Sequence, residues 1–397
     1  MNKKIIASIA TIPLISLLTV TQLYANEEKP IISAGSWVLM SYETGEVLVE
    51  QEGEKQIEPA SLAKLMTSYL IAKSTSLDYI KNEDEVIIDK EAWAYANPIL
   101  NGSPLMFLKA DERVDISSLK KGLVIQSAND AAIALAKYMA SSQEAFVEQM
   151  NKTAKDIGMV NTHFQNVHGL NTDNQYTSAL DMARLVRQFI KDSPSDYQLY
   201  KESTFSHNGI KQYNRNKLLY QSKLDVDGLM TGTTSYNKYH IVSSAINNGI
   251  RYIAVVLDAD SSATRFNEAD KLLAWGFDNY AVYKPDITNT LPVRIWYGNK
   301  SELQVTYPEG TAIDIRTKDI DKIKINPVFN DNYISAPIKK GDVVGYTEFL
   351  VGDKQIATRE LVATEDIDKG NIFENIWDFI LQMIDKVIED IKAMIKS

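Results

Sequence analysis

Pro59-Ala60-Ser61-Leu62-Ala63-Lys64-Leu65-Met66-Thr67-Ser68-Tyr69-Leu70 is the stretch whose reading decides the fold. Leu62, Leu65, Met66, Tyr69 and Leu70 recur at helical spacing, and the proline stands just before the start, where a helix tolerates one. The stretch reads as an apolar helix with Ser61 in its first turn, where unpaired N–H groups and the dipole create positive potential. Lys64, at i+3, shares the face of Ser61 about one turn away. A serine hydroxyl is a weak nucleophile until a base takes its proton. A lysine can be that base if burial and neighbouring charge lower its pKa. Taken alone the pair says little, because a capping serine followed by an exposed lysine fits equally well.

Working outward, Trp37-Val38-Leu39-Met40 and Val47-Leu48-Val49 flank Glu43-Thr44-Gly45 and read as a hairpin. Helical patterns follow near 127–140, 142–156 and 178–191. Tyr239–Ile246 and Arg251–Leu257 are separated by Asn247-Asn248-Gly249, a hairpin signal. Asp225–Thr234 is expected to run beside them, and a helix near 266–280 closes the region. Strands at both ends with helices between them indicate an α+β domain with a mostly antiparallel sheet. From 287 the texture changes to short alternating runs, Val293–Tyr297, Leu303–Tyr307, Ala312–Arg316, Val343–Phe349 and Gln355–Val362. These predict a small all-β module, a sandwich or barrel.

Both ends differ from this body. Lys3 and Lys4 precede an apolar run from Ile5 to Val20 that ends near Leu23-Tyr24-Ala25, the pattern of a secretory signal. Leu23 is larger than the usual residue two places before cleavage, and an uncleaved anchor is the alternative. After Gly370, apolar residues recur at Phe373, Ile376, Trp377, Ile380, Ile384, Val387, Ile388, Ile391 and Met394. This is an amphipathic helix for a membrane surface, too interrupted by charge to span. The alternative is a helix packed on the β module or in an oligomer. Glu374, Asp378, Asp385, Glu389 and Asp390 outnumber Lys386, Lys392 and Lys396, so attachment would rest on the apolar face. The expected division is a signal at 1–25, a catalytic domain at 26–286, an all-β domain at 287–370 and the helix at 371–397.

Composition excludes several functions. The chain has 397 residues, 45% hydrophobic and 24% charged, with net charge −10. That is a folded two-domain composition, and its sign argues against a nucleic-acid partner. Four histidines and no cysteine leave little for a metal or redox site.

Two further elements give the serine its context. Ser127-Ala128-Asn129 follows Leu123-Val124-Ile125-Gln126, and alone reads equally as a helix cap. Val226-Asp227-Gly228-Leu229-Met230-Thr231-Gly232-Thr233 is a strand whose glycine would let a substrate backbone approach edge-on; alone it is an ordinary strand. Ser-x-x-Lys, Ser-x-Asn and Lys-Thr-Gly, in that order, mark penicillin-binding proteins and class A β-lactamases. The chain resembles the low-molecular-mass penicillin-binding proteins that are D-alanyl-D-alanine carboxypeptidases. Trp93-Ala94, Asn97-Pro98, Leu105–Lys109 and Asn161–Leu170 extend the likeness, as do the β module and the last helix.

The resemblance implies a transpeptidase-like domain and an acyl-enzyme on Ser61, with Lys64 as base. Ser127 and Asn129 would assist proton transfer and positioning, and backbone N–H groups of Ser61 and Thr233 would form the oxyanion hole. Thr231 and Gly232 would line the substrate strand. The implied partners are peptidoglycan stem peptides ending in D-alanyl-D-alanine, and β-lactams acylating the same serine. No metal or organic cofactor is implied, and the protein would be peripheral on the periplasmic face of the inner membrane. The family has lysine where this chain has Met230, and histidine at Thr233. Arg215 and Arg265 fall where relatives carry arginines and would compensate in part. His168 falls on the family's active-site rim, although a lone histidine is more often structural. A second reading is a peptidoglycan-binding scaffold of weak activity. No acid is placed as a class A deacylation base, which argues against a β-lactamase.

Overall fold

The computed structural model describes residues 29–330 and 333–396; the signal expected at 1–25 lies outside them. Five antiparallel strands form the central sheet: β1 (Ser36–Ser41), β2 (Val47–Gln51), β3 (Asp225–Thr233), β4 (Tyr239–Asn247) and β5 (Ile250–Ala259), in the order β2-β1-β5-β4-β3. The fold is α+β, as the sequence predicts. The turn between β4 and β5 is Asn248-Gly249, with φ +51° and +77°, and Asn247 pairs Ile250 across it. Both positive angles suit the two-residue turn that matches strand twist.

The middle of β5, Tyr252 to Leu257, is apolar because both faces of the strand are covered there. Ile253, Val255 and Leu257 enter the core containing α1 (Ala63–Ser76) and α4 (Ala179–Asp192), while Ala254 and Val256 meet α5 (Ser262–Asn279). Every residue of α1 from Ala63 to Ala72 is buried. A helix covered on all sides needs small or apolar residues all round, and this one carries Lys64 into the middle of the domain. α2 (Asn129–Ala140) and α3 (Gln143–Asp156) complete the helical layer.

α5 runs directly into β6 (Tyr280–Tyr283), where the sequence pattern had extended the helix to 280. β6 pairs β9 (Ile313–Arg316) in a separate two-stranded sheet, leaving β9 outside the module's main sheet. That main sheet has the order β7-β8-β12-β11-β10, from β7 (Leu291–Arg294), β8 (Glu302–Thr306), β10 (Ile323–Phe329), β11 (Val343–Val351) and β12 (Lys354–Ala363). β10 escaped the sequence reading. Its Pro327 argues against a strand, but β10 lies at the sheet edge, where a missing N–H is tolerated.

The last helix, α6 (Ile372–Lys396), fastens to the module by its polar side. The buried Asp378 carboxylate accepts from Arg294 Nη2 at 2.9 Å and from the Tyr297 N–H at 2.6 Å, and Tyr297 Oη donates to Gln382 at 2.6 Å. Ile376, Trp377, Ile380, Ile384, Val387 and Ile391 remain exposed. Among the described residues no helix is long and apolar enough to cross a membrane.

Candidate active site

Ser61 does not begin α1. It lies in a preceding 3-10 turn, Ala60–Leu62, in which the Leu62 N–H donates to the Pro59 carbonyl at 3.1 Å. Ala60 holds φ +47°, a left-handed conformation that costs a non-glycine residue about 1–2 kcal/mol. Two glycines allow neighbouring chain to close on this turn. A side chain at Gly169, φ +82°, would place its Cβ 1.8 Å from the Ala60 carbonyl oxygen. One at Gly232 would stand 3.3 Å from both the Pro59 carbonyl oxygen and Ala60 Cβ. The strand edge and the 166–170 loop therefore clasp the serine from two sides.

Lys64 is fully buried, and its Nζ stands 3.1 Å from Ser61 Oγ. It also donates to the His168 carbonyl. Burial, with the Arg215 charge adding, pulls its ammonium down to about 7. An exposed lysine would be an ammonium almost without exception at neutral pH, whereas this one is poised to accept a proton. His168 contributes its backbone carbonyl to Lys64, while its ring accepts the Leu170 N–H at 3.1 Å through Nδ1. Burial, then the Lys64 charge, holds the imidazole down at about 3 and therefore neutral. Asn166 Oδ1 braces the same loop from the N–H groups of His168 and Gly169.

Ser127 is not a helix cap. It ends a π-helical turn, Gly122–Gln126, at φ +60°, and Ala128 occupies the cap position of α2. π-Turns and left-handed residues of this kind gather at functional sites. The hydroxyl of Ser127 and the side-chain oxygen of Asn129 are buried without a hydrogen-bond partner among the described residues, which is rare enough to require a cause. The buried Asp130 carboxylate accepts the Met106 and Leu108 N–H groups at 3.0 and 3.1 Å, fixing the 105–108 segment beside this turn. The Asn129 N–H donates to the Pro104 carbonyl at 2.8 Å.

Met230, Thr231 and Gly232 are buried in β3, and Thr233 is exposed at its end. Met230 belongs to the apolar cluster that contains Leu62, Ala63 and Leu65. The two arginines divide their tasks. Arg265 is buried, and its Nη1 donates to the Gly232 carbonyl at 2.8 Å, so it holds the strand. Arg215 is exposed and forms no side-chain hydrogen bond or ion pair among the described residues, yet its charge reaches Lys64 and Arg265. Its backbone N–H meets the Ile125 carbonyl at 3.3 Å, which ties it to the Ser127 turn.

Sequence reasoning passed over His240, fully buried opposite Gly232. Its Nδ1 accepts the Asp258 N–H at 3.0 Å, so the proton lies on Nε2, which donates to the Glu58 carbonyl at 2.9 Å. The ring thus joins the segment before Ser61 to the sheet. No sequence motif marks it, because its partners are backbone atoms 18 and 182 residues distant.

A serine hydroxyl, a buried lysine poised near neutrality and two buried polar atoms without a described partner stand together beside a strand edge. The family model for D-alanyl-D-alanine carboxypeptidases covers residues 24–261, and that for the penicillin-binding protein 5 C-terminal domain covers 277–369. The chain belongs to the D-alanyl-D-alanine carboxypeptidase family. It is 43% identical over 357 residues to the D-alanyl-D-alanine carboxypeptidase DacC of Escherichia coli, covering 89% of each chain. It is 39% identical over 356 residues to DacA of the same organism, covering 89% of this chain and 88% of that one. Among solved structures, penicillin binding protein 5 from Haemophilus influenzae superposes with a TM-score of 0.82 at 34% identity, covering 86% of this chain and 100% of that one.

Proposed function

We propose that the protein is a serine-type D-alanyl-D-alanine carboxypeptidase that removes the terminal D-alanine from peptidoglycan pentapeptides. The observation that carries this reading is the buried Lys64 Nζ, held near 7 and 3.1 Å from Ser61 Oγ. Lys64 takes the hydroxyl proton as Ser61 Oγ bonds to the carbonyl carbon between the two D-alanines. Backbone N–H groups of Ser61 and Thr233 hold the developing oxyanion. The C–N bond then breaks, and a proton delivered through Ser127 lets D-alanine leave as an amine. Asn129 orients the substrate amide. Water enters, loses its proton to Lys64, and hydrolyses the ester to regenerate Ser61. Thr231 and the unpaired Arg215 receive the terminal carboxylate, while Arg265 and Gly232 set the strand against which the substrate lies. β-Lactams acylate the same serine.

The same reading places the signal at 1–25, the catalytic domain at 26–286, the β domain at 287–370 and the attaching helix at 371–397. The exposed apolar row of α6 supports a peripheral position on the periplasmic face of the inner membrane. Release of D-alanine from a pentapeptide by the purified protein, abolished in Ser61→Ala, tests the activity. Met230 favours a second reading, a peptidoglycan-binding scaffold. A wild-type protein that forms no covalent adduct with a labelled β-lactam would establish that reading in place of the first.

A further inference from the structure

A cavity of about 500 Å³ opens beside the arginines, lined by Phe107, Gln126, Tyr213, Asn214 and Ser262 together with Lys211, Arg215, Lys217 and Arg265. Among the described residues that line it four are cations and none is an acid, in a chain whose net charge is −10. Lys211, Arg215 and Lys217 form no ion pair among the described residues; Lys211 rests over the Tyr213 ring. Arg265 is 92% buried in the wall, and its Nε has no partner among the described residues. Ser262 begins the 18-residue helix α5, whose N-terminal potential has the same sign. The cavity joins the reaction site through Gln126, the neighbour of Ser127, and through Arg265, bonded to the strand carbonyl at Gly232. It therefore lies on the side where the terminal carboxylate is bound and from which the leaving amino acid departs.

One carboxylate does not account for this compartment. The D-alanine side chain is a single methyl group, and Arg215 with Thr231 serves its α-carboxylate. Lys211 and Lys217, on or just after the hairpin formed by Thr204–His207 and Ile210–Tyr213, bring charge for a second anionic group farther out. We propose that this cavity is a leaving-group subsite for acidic D-amino acids, so that the enzyme also hydrolyses peptides whose last residue is a D-dicarboxylic amino acid. The inference rests on the carboxypeptidase reading. The bond broken is the same amide, and water supplies the hydroxyl of the new carboxylate and the proton of the released amine.

The test compares peptides ending in D-Ala-D-Ala, D-Ala-D-Glu and the isosteric, uncharged D-Ala-D-Gln. The expected result is about a tenfold higher kcat/KM for D-Glu than for D-Gln, as one charge-assisted contact provides. That ratio should fall to about one in the Lys211→Ala/Lys217→Ala double variant, with D-alanine release unchanged. Calorimetric binding of the same peptides to Ser61→Ala gives a reading independent of turnover, and D-Glu should bind more tightly there too. Equal binding and equal turnover of the D-Glu and D-Gln peptides, with D-alanine still released, overturns the subsite and leaves the carboxypeptidase reading standing. If no peptide is turned over, the carboxypeptidase reading fails, and the Ser61→Ala affinities alone decide whether the cavity selects an acid. A D-Glu preference that survives the double variant assigns the charge to the arginines and overturns the role of the lysines.

Discussion

At the scale of the residue, the proposed site combines a lysine held near 7, left-handed neighbours and Met230 where the resemblance leads one to expect a cation. In the proposed mechanism Lys64 must be neutral to accept the Ser61 proton, and burial brings its pKa to about 7. β-Lactam acylation should therefore rise with pH through about 7 and level off above it, falling about tenfold per unit on the acid side. Met230→Lys adds a positive charge to the strand on the face of α1. It should raise kcat/KM roughly 10–100-fold through a charge-assisted contact with the substrate carboxylate. The same charge disfavours the Lys64 ammonium, so the midpoint of the acylation profile should move to lower pH. Stopped-flow acylation of both proteins from pH 5 to 9 checks the pair of effects; unchanged rate and midpoint would place the carboxylate wholly on other residues. Ser127 stores strain as well as chemistry, since its backbone is left-handed and its hydroxyl is an orphan. Ser127→Gly should stabilise the fold by about 1 kcal/mol, visible as a raised Tm, while acylation falls at least tenfold. A lower Tm would remove strain from the account of this turn.

Elements determine what the surfaces can do. α6 turns Asp378 and Gln382 to the β module and leaves its apolar row outward, the reverse of a helix that packs to bury hydrophobic area. Deleting residues 371–397 should release the protein from membrane fractions and leave pentapeptide hydrolysis within about twofold, because none of the described contacts of the helix reaches the site. High salt should not detach the intact protein, since the proposed attachment is apolar. Retention of the shortened protein on membranes would locate the anchor elsewhere. Periodicity made α6, α1 and the β4–β5 hairpin readable in the sequence. It missed β10, whose proline is harmless only at an edge, and it missed the 3-10 turn under Ser61. That turn is set by Pro59 and by two glycines from distant segments rather than by any local pattern.

The whole molecule is joined where the β1–β2 turn meets the C-terminal module. Asp314 of β9 is buried there and accepts from the Thr44 hydroxyl, while Arg359 reaches Glu46 at 2.8 Å. Burial pushes the Asp314 carboxyl up to about 7, with Glu46 and Glu43 adding and the Thr44 and Ser41 hydroxyls opposing. A raised acid holds an extra proton in the folded state, so this contribution to stability is present at low pH and is lost as pH rises from about 4 to 7. Asp314→Asn should therefore stabilise the protein at pH 8, on the order of 2 kcal/mol, and the gain in Tm should vanish near pH 4. A difference independent of pH would show that Asp314 does not titrate in this window. By itself the sequence determined the five strands of the central sheet, the long helices around it and the order of the three motifs, because those follow from spacing along the chain, and the resemblance added the substitution at Met230; the short strands Glu85–Ile87, Arg113–Asp115, Thr204–His207 and Ile210–Tyr213 were not legible. Only the tertiary structure decided that Lys64 is fully buried, and that Arg265 braces a strand while the Arg215 side chain pairs with no described residue. It alone seats His240 and Gly169 against the segment carrying Ser61. Desolvation, close approach and charge pairing depend on which distant segments meet, and residue spacing does not encode that directly.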